Sequence, residues 1–135
     1  MPGYSGTPLP KKLGIKDGFR ALLVRAPEDV RTELRAALSA CEVVRQACDG
    51  LDFAMVFTSS RVELTKEFEH IAKELAPAGM LWVSWPKKSS GVKTDLHENL
   101  IREIGLAAGL VDVKVCAVTD VWSGLKFVRR VKDRK

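Results

Sequence analysis

From Phe19 to Gly109, apolar runs of strand length alternate with stretches of helical periodicity, and few folds accept that order. Phe19 to Ala26 contains Ala-Leu-Leu-Val, a run too continuous for a half-exposed strand and suited to one covered on both faces. Pro27 then opens a helix in which Val30, Leu34, Ala37 and Leu38 recur at helical spacing. Cys41 to Arg45 reads as a short strand, and Leu51 to Phe57 as a central one. Ser60-Arg61-Val62-Glu63 has the form of a capping box, after which Leu64, Phe68, Ile71, Ala72 and Leu75 supply a buried stripe. Pro77 and Gly79 are expected to end that helix, and Met80 to Trp85 forms the next strand. Asp95 pairs with Glu98 as a second expected cap. Leu96, Leu100, Ile101, Ile104, Ala107 and Ala108 give the following helix its apolar face, and Gly109 closes it.

Beyond Gly109 the period changes to two. Val111, Val113, Val115 and Ala117 alternate with Asp112, Lys114 and Cys116, and Leu125 and Phe127 alternate with Lys126 and Val128. Two such runs joined by Thr119 to Gly124 form a hairpin at the sheet's edge. Alternating strands and helices imply a three-layer, Rossmann-like α/β fold with a mostly parallel sheet of six strands. The second strand is expected beside the first, the third and fourth on its other side, and the hairpin beyond, with the last strand antiparallel. The whole of 1–135 reads as one domain, with 1–17 as an ordered arm that buries Tyr4, Leu9 and Leu13. In that arm Thr7 caps a short helix, Pro8 takes its first position and Gly14 closes it. Residues 132–135 form a basic, flexible tail.

Composition excludes more than it assigns. At 135 residues, 46% hydrophobic and 29% charged, the chain matches a soluble globular protein that needs neither metal nor disulfide support. No apolar run nears the ~20 residues that span a bilayer. No secretory leader pattern opens the chain, so a cytoplasmic location is expected, with no membrane partner. Cys41, Cys48 and Cys116 form no Cys-x-x-Cys pair, which argues against a zinc site and a disulfide framework. Most of the net charge of +5 belongs to the stretch from Arg129 to Lys135, whose five basic residues and one acid carry +4. The rest of the chain is close to neutral. A tail of that kind steers proteins towards polyanions, but a solvated end is the preferred reading over a nucleic-acid partner.

The loops after the strands gather at the carboxyl edge of such a sheet, where open α/β folds bind ligands. They bring Arg25, Arg61, Trp85, Lys87, Lys88, Ser89, Ser90, Gly91 and Trp122 to one rim, with Thr58, Ser59 and Ser60 nearby. Lysines and serines suit a phosphate or carboxylate. Gly91 lets the backbone turn closely, and Trp85 or Trp122 can stack on a base. The free N–H groups of the helix after Thr94 add to the attraction for an anion. Lys87 to Gly91 is not a Walker loop, because no glycine stands upstream at the required spacing. His97 and Asp120 are the acid/base candidates near this edge, while His70 is a boundary residue and Trp82 belongs to the core. The expectation is a small anionic ligand, phosphate- or nucleotide-like, with no cofactor.

Two resemblances follow from particular residues. Leu75-Ala76-Pro77-Ala78-Gly79, Leu81-Trp82-Val83, Gly105 to Gly109 and the hairpin together resemble the carboxyl half of class I S-adenosylmethionine-dependent methyltransferases. That resemblance implies their architecture. It does not extend to their cofactor turn, because Val24-Arg25-Ala26-Pro27-Glu28 has no glycine, and Arg45-Gln46-Ala47-Cys48 stands where an acid is usual. Tyr4-Ser5-Gly6-Thr7-Pro8-Leu9, Trp85-Pro86-Lys87-Lys88-Ser89-Ser90-Gly91 and Trp122-Ser123-Gly124-Leu125-Lys126-Phe127 resemble a bacterial family of small proteins without an assigned activity.

Overall fold

The computed structural model describes residues 7–134. Tyr4 and the rest of 1–6 lie outside the described residues, as does Lys135. Four α-helices and six strands follow in the order α1 (Leu9–Leu13), β1 (Arg20–Val24), α2 (Glu28–Leu38), β2 (Glu42–Val44), β3 (Leu51–Phe57), α3 (Arg61–Glu74), β4 (Leu75–Pro86), α4 (Glu98–Ala107), β5 (Leu110–Ala117) and β6 (Trp122–Arg129). They build one sheet of order β2-β1-β3-β4-β6-β5. β1 pairs in parallel with β2 and β3, and β3 with β4. β6 runs antiparallel to both β4 and β5, so it alone reverses direction. The fold is the mixed α/β sheet that the rhythm of the sequence implies.

Alternation along the central strands sorts the core into two clusters. Leu81, Val83 and Trp85 join Phe68 and Ile71 of α3 and Ile101 of α4 on one side. Met80 and Trp82 join Leu9 and Leu13 of α1 and Val30 and Leu34 of α2 on the other. α1 is clasped by three bonds. The Trp82 indole N–H donates to the Leu13 carbonyl at 2.9 Å, Lys12 Nζ to the Ala117 carbonyl at 3.2 Å, and Lys114 Nζ to the Lys12 carbonyl at 3.0 Å.

Three boundaries differ from the sequence reading, each for a physical reason. α1 starts at Leu9, not Pro8. Pro8 is its cap residue, Thr7 makes no side-chain cap bond, and Gly14 closes the helix at φ 85°. β4 starts at Leu75, because strand pairing resumes across the Pro77–Gly79 kink. Its register with β3 jumps from Leu51↔Leu75 to Phe53↔Met80. A Cβ on Gly79 would stand 2.4 Å from the Leu51 carbonyl oxygen, so the kink needs glycine to lie against β3. α4 starts at Glu98 and is capped by His97, whose Nδ1 accepts from the Leu100 N–H at 3.3 Å. Asp95 does not cap this helix.

Candidate functional site

The lysine loop and the hairpin turn meet at the carboxyl edge. β4 pairs with β6 up to Pro86↔Trp122, and the Lys87 N–H donates to the Val121 carbonyl at 2.7 Å. The loop then makes a 3-10 turn over Lys88–Ser90, and Gly91 ends it at φ 77°. Lys88, Gly91, Val92, Lys93, Thr94 and Asp95 face Ser59 and Ser60 across an open concavity of about 660 Å3. The two loops are stitched by Thr94 Oγ1, which donates to the Ser59 carbonyl at 2.7 Å. Among the described residues, no ion pair involves Lys87, Lys88 or Lys93.

Other residues expected at this rim are engaged elsewhere. Trp85 is 7% exposed and lies in the α3–α4 side of the core, so it offers no ring to a ligand. Trp122 is half-buried on the opposite face and packs edge-on against Phe57, with ring centroids 5.2 Å apart. Ser90 Oγ donates to the Lys87 carbonyl at 2.6 Å and accepts from the Val92 N–H at 3.2 Å, which holds the turn. Ser89 is exposed. The Arg61 side chain lines a different groove, of about 560 Å3 between α3 and α4, together with Phe68, Ile104 and Arg129.

Helix termini here carry built-in acceptors. Ser60 Oγ accepts from the Glu63 N–H at 3.3 Å, and Asp95 Oδ1 accepts from the Arg61 N–H at 2.8 Å. Asp95 therefore stands at the start of α3, where an incoming anion would sit. His97 serves α4 in the same way. The start of α4 is therefore not the open anion seat expected from the sequence. Of the acid/base candidates, His97 has its Nδ1 committed, and Asp120 is exposed in the hairpin turn.

Arg25 occupies the middle of the edge. It follows the end of β1 with φ 56°, a left-handed backbone costing an L-residue ~1–2 kcal/mol. Its Nε donates to the Phe57 carbonyl at 2.9 Å, its Nη1 to Glu67 at 2.7 Å, and its Nη2 pairs with Glu67 and, at 3.3 Å, with Glu63. The hydrogen bond to Glu67 raises the guanidinium pKa above its ordinary value. Arg25 is thus neutralised by α3 and not turned towards the lysine loop. Glu63 and Glu67 were not legible as partners, since nothing local in the sequence links them to residue 25.

Ser84 in β4 is fully buried and its Oγ has no hydrogen-bond partner, a polar atom that strand alternation alone does not reveal. Burial pushes the thiols of Cys41 and Cys116 above their ordinary pKa, so neither is poised as a thiolate. Among the described residues, no cluster of three or more His, Cys, Asp or Glu suits a metal ion, and no helix is long and apolar enough to cross a membrane.

No family model and no curated protein matches this sequence. Solved structures do match in fold, and the fold they define is the Rossmann-like fold of methyltransferases. Magnesium protoporphyrin IX methyltransferase from Synechocystis PCC 6803 with bound SAH shares 13% identity at a TM-score of 0.57, over 84% of this chain and 75% of that one. Precorrin-6y C5,15-methyltransferase from Geobacter metallireducens GS-15 shares 10% at 0.56, over 90% and 86%. LepI, in its complex with SAM, shares 13% at 0.56 over 92% of this chain, which spans 47% of LepI. Two of these solved structures hold SAH or SAM. In this chain the ends of β1 and β3 are bridged by the Arg25 side chain.

Proposed function

We propose that this chain is a divergent methyltransferase-like domain that binds a small molecule at the carboxyl edge of its sheet. The observation that carries the reading is the strand order. The chain crosses from β1 to β2 on one side and returns to β3 on the other, which leaves a topological switch point between β1 and β3. Open α/β sheets take their ligands there, and the solved proteins of this fold include complexes with SAM and SAH. No catalytic step is assigned. The strings around Tyr4, Trp85 and Trp122 make the bacterial family of small proteins the proposed home of the chain.

A second reading rests on a separate observation. Lys88 and Lys93, both without carboxylate partners among the described residues, face Ser59 across the open concavity. That grouping suits a phosphate or carboxylate, with Lys87, Ser89 and Gly91 on the same loop.

One thermal-shift experiment in low salt separates the readings, with SAM, SAH, AMP and inorganic phosphate as separate arms. A ligand at 100 times its dissociation constant stabilises the native state by ~2.7 kcal/mol. A shift with SAM or SAH that survives Lys88→Glu supports the first reading. A shift with phosphate or AMP that Lys88→Glu removes supports the second. No shift in any arm overturns both.

A further inference from the structure

Lysines converge on the face of the sheet that α1 covers. Lys126 of β6 stands opposite Lys114 of β5 in the antiparallel register, so the two side chains share that face. Like charges placed directly across a strand pair destabilise it. Lys114 and Lys12 are held in place, since their ammonium groups donate to the carbonyls of Lys12 and Ala117. Cys116, next on the same face of β5, feels the charges of both. Lys126 is half-buried, and its Nζ lies beside Gly14 at the end of α1, 3.8 Å from the place of a Cβ there. Lys16 follows α1 and is exposed. Among the described residues, neither Lys126 nor Lys16 has a side-chain hydrogen bond or an ion pair. The charges that act on Lys126 come from Lys114 and Lys16, and no described carboxylate offsets them.

We propose that Lys16, Lys114 and Lys126, with Lys12 beside them, bind a chain of two or more phosphates, free or carried by a nucleotide. The site rests on neither reading above and lies apart from the edge loop. Lys126 is in register with Trp82 within β4, whereas that loop begins after Pro86. The chemistry of the ligand follows from that of the cluster. Ammonium groups are point charges with three donors each and no planar fork, which suits tetrahedral groups that offer oxygens in several directions. Several cations around one spot call for more than one negative charge. A bound oligophosphate turns the repulsion between Lys114 and Lys126 into two attractions. It also accounts for a half-buried lysine held without a partner, because unfavourable charges are kept where function uses them. Trp82 is buried and bonded to the Leu13 carbonyl, so it offers no ring surface to a base.

Calorimetric titration of sodium tripolyphosphate at pH 7 in low salt tests this, with the parent chain, Lys126→Met, Lys16→Gln and Lys88→Glu. The parent is expected to bind, and Lys126→Met to bind about tenfold more weakly while its melting temperature rises. Lys16→Gln, which leaves the clasp on α1 intact, should weaken binding in the same direction, and it decides alone if Lys126→Met does not fold. Lysines that serve the fold alone leave the affinity unchanged in both variants, and that result overturns the proposal. So does a parent chain that does not bind. Binding lost in Lys88→Glu and kept in Lys126→Met belongs to the edge loop; it overturns the site on the α1 face and leaves the phosphate reading of that loop standing. A second arm with ATP distinguishes the sources. Equal affinity supports a site that reads the phosphate chain from either source, and binding of tripolyphosphate alone supports the free chain. ATP bound tenfold more tightly than tripolyphosphate overturns the proposal in favour of a nucleoside site.

Discussion

Lys126 shows how a single side chain sets a pH-dependent cost in this fold. It sits on β6 in register with Lys114 on one side and Trp82 on the other. Burial lowers its pKa from the ordinary 10.5, and the charges of Lys114 and Lys16 lower it further. Below the lowered value both folded and unfolded chains hold the proton, and the group contributes no slope. Between that value and 10.5 the unfolded chain binds more protons, so stability rises with pH. At neutral pH the native state therefore carries a charge it holds at a cost. Lys126→Met is expected to raise the melting temperature at pH 7, and the advantage should shrink as pH rises from the lowered pKa to 10.5 and vanish above it. A melting temperature that falls at pH 7 would show that the ammonium group has a favourable partner. Sequence alternation placed Lys126 on the polar side of its strand and could not show that α1 covers that side.

At the scale of elements, the sequence revealed what local periodicity controls and missed what distant loops supply. The apolar stripes of α2, α3 and α4 pack largely where the spacing put them, and the β5–β6 hairpin forms. Leu75, however, belongs to β4. The alternation of β5 breaks at a register shift between Asp112 and Lys114 that leaves Val113 and Val115 exposed. The capping box at α3 is half made. Ser60 accepts from Glu63 as expected, but the Glu63 carboxylate turns to Thr58 Oγ1 and Arg25, and the Ser60 N–H donates to Thr58 Oγ1. Asp95 supplies the remaining cap from 34 residues away. That role was invisible because Asp95 and Glu98 fit a local cap pair equally well. The expected consequence is specific to α3. Asp95→Ala should lower stability by ~1 kcal/mol in urea unfolding, as loss of a helix cap does, whereas Asp95→Asn should lose less. Glu98→Ala should leave the start of α4 intact, since His97 caps it. Equal losses in Asp95→Ala and Glu98→Ala would return Asp95 to α4.

For the whole molecule, strand order was legible because connection rules leave few ways to pack this sequence of elements. The site was less legible, because its charges are settled by partners on other elements, as Arg25 and Asp95 are. Net charge behaves in the same manner. Arg129 reads as the start of the basic tail, yet its Nη2 donates to the carbonyls of Ala72 and Leu75 at 2.9 Å and closes the end of α3. The tail proper is residues 132–135, with three basic residues and one acid, and its deletion lowers the net charge from +5 to +3. Arg129 is a structural cation, whereas Lys132 to Arg134 are exposed, in a short 3-10 turn whose Arg134 Nε donates to the Arg129 carbonyl at 3.1 Å. Binding to a single-stranded oligonucleotide, measured by anisotropy in low salt, is therefore expected to weaken steeply as salt rises. Deleting 132–135 should reduce it further and flatten the salt dependence. The same deletion should leave the melting temperature and any SAM, SAH or phosphate shift unchanged, because no residue of either candidate site lies in it. Oligonucleotide affinity that survives the deletion with an unaltered salt slope would move the nucleic-acid contact from the tail to the unpaired lysines of the edge loop.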